Sequence, residues 1–146
     1  MATVRGAKLL ILVGDGGDPE AFAHPCSINA ERGLAFAAET RNNNEPNCED
    51  PEAIPWATTE KSGKSGTITG SGTLNAADQD LFFDWFDSPD SKNVIVVTNI
   101  TGANGGRKYE GAWHCTQFEI TGNVGETCQC RITLASDGTI SKSNNT

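Results

Sequence analysis

The sequence predicts a mainly β protein, an antiparallel sandwich or barrel flanked by one α-helix. Three observations predict it. Apolar and polar residues alternate with a period of two along several segments. The cleanest is 126–136, where Cys128, Cys130, Ile132 and Leu134 oppose Thr127, Gln129, Arg131 and Thr133. Glycine is plentiful, 16 of 146 residues, as suits a turn-rich β fold. One segment alone, about 76–88, carries an apolar helical period with a marked start and stop. A chain of 146 residues is expected to form a single domain, 1–146, with a buried core.

The elements follow in order. The run Ala7 to Val13 reads as a first strand, and Gly14 to Asp18 as a turn. Its Asp15 and Asp18 lack the spacing of an EF-hand loop. A short strand falls near 21–23. Pro25 then opens a longer β segment, about 26–40. There Leu34, Phe36 and Ala38 face one way, while Ala35, Ala37, Glu39 and Arg41 face the other. Residues 41–62 break the pattern with three prolines, four asparagines and many acids, so a long loop is expected. Ile54 and Trp56 argue against a plain solvated linker. They dock on a neighbouring subunit or fold back on their own domain; the sequence leaves both open.

Residues 65–74 alternate small hydroxyl side chains with Gly66, Ile68, Gly70, Gly72 and Leu74, an exposed-looking strand. It runs straight into the helix. Asn75 can cap that helix, Asp78 sits where a capping box wants an acid, and Asp78 and Asp80 suit the positive helix end. Phe82, Trp85 and Phe86 are expected on one face, and Pro89 marks the stop. Phe83 adds apolar surface beyond that stripe, as a wider core contact or a subunit contact. The apolar run 93–100 reads as a buried strand, and 101–106 as a hairpin turn. In strand 108–121, Trp113, Cys115, Gln117 and Glu119 are expected to oppose His114, Thr116, Phe118 and Ile120. A turn at 122–125 leads to the last alternating strand. The polar tail, about 137–146, is expected to be loose.

Charge narrows the function classes. The net charge is -8, from 19 acids and 11 bases. Residues 1–90 carry 15 acids against 6 bases; residues 91–146 carry 4 against 5. A phosphate-backbone binder needs clustered Lys and Arg, which this balance does not offer. The opening segment imitates an export signal, but its apolar run, Leu9 to Val13, is short and no A-x-A site follows, so no export and no membrane span are expected. Five cysteines, an odd number without an export signal, give no disulfide framework. His114-Cys115 with Cys128-x-Cys130 is the metal-like cluster, but His114 and Cys115 point to opposite faces of a strand, and Cys128 and Cys130 share a core face. The histidines are His24 and His114, and no carboxylates stand in an acid/base spacing. A structural protein without catalytic residues, cofactor or metal is expected.

Several segments in this order carry a resemblance: the opening KLLILV strand, the Glu39-Thr40 turn, the loop ending at Ile54-Pro55-Trp56, the Gly66 to Leu74 strand running into the helix, and Thr133 to Gly138 near the end. Together they resemble the major tail tube proteins of long, non-contractile (siphovirus-type) phage tails and of related gene-transfer particles. That resemblance implies a structural virion protein, assembled in the host bacterial cytoplasm. Its subunits would form hexameric rings that stack into a hollow tube for DNA passage during ejection. It implies partners: further copies of the chain, tape-measure, tail terminator and distal tail proteins, and DNA in transient, non-specific passage. It implies that the long loop reaches a neighbour, with Ile54, Trp56 and Phe83 as contact candidates. It implies an acidic lumen, with Glu31, Glu39, Glu119 and Glu126 as lumen or surface candidates. The small side chains of 65–74 would then suit a strand held partly by neighbouring subunits. The rival readings are another β-rich tail component, such as a terminator or related tube ring, and a monomeric ligand- or carbohydrate-binding sandwich using Trp56 or Trp113.

Overall fold

The alternating segments become strands in a computed structural model, which describes residues 3, 5–15, 21–25, 27–46, 48–100, 103 and 105–144. In chain order the elements are β1 (Leu9–Gly14), β2 (Phe22–Ala23), β3 (Glu31–Asn44), β4 (Ala57–Thr73), α1 (Ala76–Asp87), β5 (Lys92–Thr98), β6 (Arg107–Thr121) and β7 (Gln129–Asn144). The strands form one sheet in the order β2-β1-β5-β6-β7-β4-β3. It is antiparallel and, among the described residues, remains open at β2 and β3 instead of closing into a barrel. The turn expected at Gly14 to Asp18 and the residue Cys26 lie largely outside the described residues, as do parts of the expected 101–106 turn.

One face of the sheet holds the core. Ile11, Val13, Val94, Val96, Trp113, Cys115, Ile132, Leu134 and Ile68 are buried on it, and Phe82 and Trp85 of α1 pack against them. Burying apolar area on this scale is what stabilises a domain of this size. Trp85 Nε1 donates to the Trp113 carbonyl at 3.2 Å, so the buried indole keeps a partner.

Strict alternation fails in β6. A bulge at Thr116 separates the pairs Cys115–Leu134 and Gln117–Thr133. One extra residue reverses every side chain beyond it. Phe118 therefore lies with the core, its ring 5.6 Å from Phe82, while Gln117 and Glu119 turn to the other face. The expected face division of 108–121 is corrected at that point.

The helix starts as the sequence suggests and is tied down differently. The Asn75 side chain accepts from Ala77 N at 3.0 Å. Asp78 does not reach back to Asn75; its Oδ2 accepts from Ser27 N at 2.9 Å. Ser27 Oγ accepts from Asn75 N at 2.8 Å. The buried Ser27 thus takes over the role expected of a capping box. Phe86, expected beside Phe82 and Trp85, is half exposed and lies tilted against Phe83, ring centroids 6.5 Å apart.

The small residues of β4 have a local cause. A Cβ on Gly70 would lie 2.6 Å from Ile28 Cγ2, and one on Gly72 would lie 2.6 Å from the Ser27 carbonyl. The 27–30 segment crosses β4 at backbone contact, with Ala30 N donating to the Ser71 carbonyl at 3.0 Å. Only glycine permits that approach.

Two expected irregular segments are more ordered than the sequence suggests. The 41–62 loop narrows to 45–56, because β3 continues to Asn44 and β4 begins at Ala57. The tail is a strand to Asn144, its residues 141–144 paired with 107–110 of β6. Both stretches are polar on both faces, so no alternation marks them, and ladder hydrogen bonds hold them instead. Within β7, Gly138 has a φ of 93° beside a second register shift opposite Gly111.

The contacts divide the chain into two compact units, residues 1–35 with 66–146, and the hairpin 36–65. Inside the hairpin unit, Thr58 Oγ1 donates to the Asn43 carbonyl at 3.1 Å and Thr59 Oγ1 to Asn42 Oδ1 at 3.0 Å. Arg41 and Glu60 form an exposed ion pair at 3.3 Å, a geometry worth well under about 1 kcal/mol.

Candidate functional site

Over β4, β7 and the second half of β6, the face of the sheet opposite the core is polar. Its register lines side chains up in rows across β4, β7 and β6: Thr69–Thr133–Gln117, Ser71–Arg131–Glu119 and Thr73–Gln129–Thr121. The intervening rows, Ile68–Leu134–Cys115, Gly70–Ile132–Phe118 and Gly72–Cys130–Ile120, belong to the core side. The bulge at Thr116 keeps the two sets apart; without it Phe118 would stand among the hydroxyls.

Glu31 of β3 joins this face beside Thr69, Ser71, Gln117 and Arg131, around a half-open hollow of about 240 Å³. The charges near the rows are two carboxylates, Glu31 and Glu119, and one guanidinium, Arg131. Further along the same face His114 Nε2 lies 3.2 Å from Asp137 Oδ2. Over β4, β7 and the second half of β6 the face thus combines hydroxyl, amide and nearly balanced charge, whereas across β1 and β5 the same side carries Leu10, Leu12, Ile95 and Val97. Among the described residues no group of three His, Cys, Asp or Glu side chains could hold a metal ion.

The strand pairing leaves two edges beside this face. β5 pairs with β6 only from Lys108 to Trp113, so the second half of β6 meets β7 on one side and no paired strand on the other, among the described residues. β3 ends the sheet order on the opposite side. A sheet edge is where a further strand can add to the ladder.

The candidates read from the sequence fall in several places. Glu31 and Glu119 come together on the polar face. Glu39 lies in the hairpin unit, and Glu126 lies in the β6–β7 turn, where its backbone N–H donates to the Asn123 carbonyl. Ile54 and Trp56 sit in the hairpin turn and are 92% and 91% exposed. Phe83 and Phe86 are 54% and 49% exposed on the outer side of α1. Phe36, Ile120 and Val124 are further large apolar side chains in contact with solvent. Arg131, the one cation of the central row, is put on this face by its alternation with Cys130 and Ile132 but is not among the site candidates read from the sequence.

The cysteines divide between core and surface. Cys115 and Cys130 are buried, and burial pushes both thiols above their ordinary value. Cys128, expected on the core face, is exposed, just ahead of β7. Cys48 is also exposed, and these four thiols are free.

The fold is shared with solved tail structures. A chain from the tail of an empty gene transfer agent (GTA) particle, computed with C6 symmetry, superposes with a TM-score of 0.76 at 19% identity, over 97% of this chain and 99% of that one. A chain from the virion of the native GTA particle gives 0.72 at 20% identity, over 97% and 99%. The SPP1 tail tube gives 0.69 at 10% identity, over 98% of this chain and 80% of that one. No curated protein sequence matches. The profile of the phage tail tube protein family matches residues 3–142, nearly the whole chain, and the protein belongs to that family.

Proposed function

We propose that the chain is a major tail tube subunit whose polar sheet face lines the bore. Copies join into six-membered rings, following the C6 symmetry of the similar GTA tail, and the rings stack into a hollow tube. The observation that carries this reading is the polar face itself, with its rows of hydroxyl and amide groups and its single guanidinium between Glu119 and Glu31.

The chemistry suits passage of DNA. A bore rich in Lys and Arg would hold a duplex by releasing its counterions, and an apolar one would not wet. A face near neutrality, slightly acidic and covered with small polar groups, gives a moving polyanion nothing to grip. Glu31 and Glu119 are assigned to the bore. Glu39 and Glu126 are assigned to outer surfaces. No reaction and no cofactor is assigned.

The edges suit ring formation. Each copy offers the β3 edge on one side and the β6 edge on the other. Joining unlike edges is a heterologous contact, which closes when the rotation permits. It also removes the exposed strand edges. Phe83 with Phe86, and Ile54 with Trp56, are assigned to contacts between copies. The tape-measure protein is assigned to the bore, and terminator and distal tail proteins to the two tube ends.

Concentrated purified protein is expected to form hollow tubes roughly ten nanometres wide in negative stain, from the size of a domain of this length arranged in a ring. Monomers alone, under several salt conditions and with the tail partners present, would overturn the reading. Rings that never stack would favour a terminator-like component instead.

A further inference from the structure

Two apolar patches lie on opposite sides of the core. The first is on β1 and β5. Ile11, Val13, Val94 and Val96 point into the core, so the residues that alternate with them point away from it. The register sets these in two rows, Leu10–Val97–Lys108–Ser143 and Leu12–Ile95–Glu110–Ser141. Leu10, Leu12 and Ile95 are half-buried, and Val97 is buried. An antiparallel sheet with one wetted face carries polar residues there, whereas these two strands are apolar on both faces. Lys108 stands in the first row. The exposed Lys8 directly precedes β1 at the same end, its carbonyl accepting from Asn99 N at 2.7 Å. The second patch is Phe83 with Phe86, on the side of α1 turned away from the buried Phe82 and Trp85. Around it Asp80, Asp84 and Asp87 are exposed, and α1 has no lysine or arginine.

We propose that the outer side of α1 in one copy docks on the β1–β5 rows of a second copy. Phe83 and Phe86 then meet Leu10, Leu12 and Ile95, with Asp84 and Asp87 beside Lys8 and Lys108. The inference rests on the tube reading and names the surface that α1 takes. Charge selects the pairing, as it does at interfaces generally. Two α1 faces brought together would set three aspartates against three. Two β1–β5 faces would set lysine against lysine and leave Phe83 and Phe86 in water. Unlike patches match in both charge and apolar surface: the aromatic pair gains a dry contact, and the opposite charges form its rim. Both patches belong to one compact unit and lie on opposite sides of its core. The contact therefore runs head to tail, leaving one patch of each kind open until a ring closes or a stack ends. Every copy carries both halves, so a second copy is the occupant that leaves neither patch unmatched.

Wild-type tubes assembled from a mixture of isotope-labelled and unlabelled protein test it. A carbodiimide joins carboxylates to lysines already in contact. Peptides linking Asp80, Asp84 or Asp87 to Lys8 or Lys108, one partner labelled and the other not, are expected. Charge exchange gives a second readout. Asp84→Lys with Asp87→Lys, or Lys8→Glu with Lys108→Glu, is expected to shorten tubes about tenfold or more, because like charges then meet at the interface. All four changes together restore length. Lysines suit the last turn of a helix, and an unchanged circular dichroism spectrum and melt identify folded variants. If wild-type protein forms no tubes, the tube reading itself fails. If wild-type tubes form but yield no such mixed-label peptide, or the fourfold variant stays short, this inference is overturned while the tube reading stands.

Discussion

At the scale of single residues, backbone proximity governs the sequence more than side-chain size does. Gly70 and Gly72 stand where β4 meets the crossing 27–30 segment, and Ser27 holds that segment to Asn75 and Asp78 at the start of α1. A methyl at Gly72 has nowhere to go, since the neighbours it would meet include the Ser27 carbonyl and the Asn29 backbone nitrogen, at 2.6 and 2.7 Å. Gly72→Ala is therefore expected to lower stability by about 1–3 kcal/mol, as overpacking of a close-packed site does. Thermal melts would read this as a midpoint several degrees lower. Gly6→Ala serves as the control, because nothing lies within 4 Å of the added atom. Equal midpoints for the two variants would mean that the 27–30 segment yields freely, and the packing account of β4 would fail.

At the scale of elements, the helix both closes the core and presents an outer apolar pair. Phe82 and Trp85 are buried, whereas Phe83 and Phe86 touch each other in solvent. Phe83→Asp removes no core contact, so the variant is expected to fold with a melting midpoint close to that of wild type and to stop forming tubes. A folded variant that still forms tubes would remove Phe83 from the contacts between copies; unfolding would place it in the core. The helix was legible because capping, charge and period agree along 75–89. β1, β5 and the first half of β7 were legible because one side or both sides are buried and the sequence must show it. The outer halves of β3 and β4 and the end of β7 were not, because strands wetted on both faces need no apolar period. Nor was the polar face complete in the sequence. Its β6 row depends on the Thr116 bulge, a single-residue shift fixed by pairing with β7 and invisible in a local pattern.

At the scale of the whole molecule, the sheet is open and has a core face and, over β4, β7 and the second half of β6, a wet face. The wet face is bordered by the β3 edge and by the outer edge of β6 beyond Trp113. A monomer leaves the amides along those edges to water; a ring in which unlike edges pair turns them into ladder hydrogen bonds. Hydrogen exchange separates these states, since amides in a ladder open far more slowly than amides facing solvent. On going from monomer to tube, protection is expected to rise in residues 31–35 and 114–121, roughly tenfold or more for amides newly placed in a ladder. Amides of β5, already paired on both sides along 94–97, should change little. A rise confined to the helix and hairpin turn, with both edges unchanged, would mean that rings form through side-chain contacts alone. The bore would then be a circle of separate sheets, and the assignment of the polar face to a continuous lining would be lost.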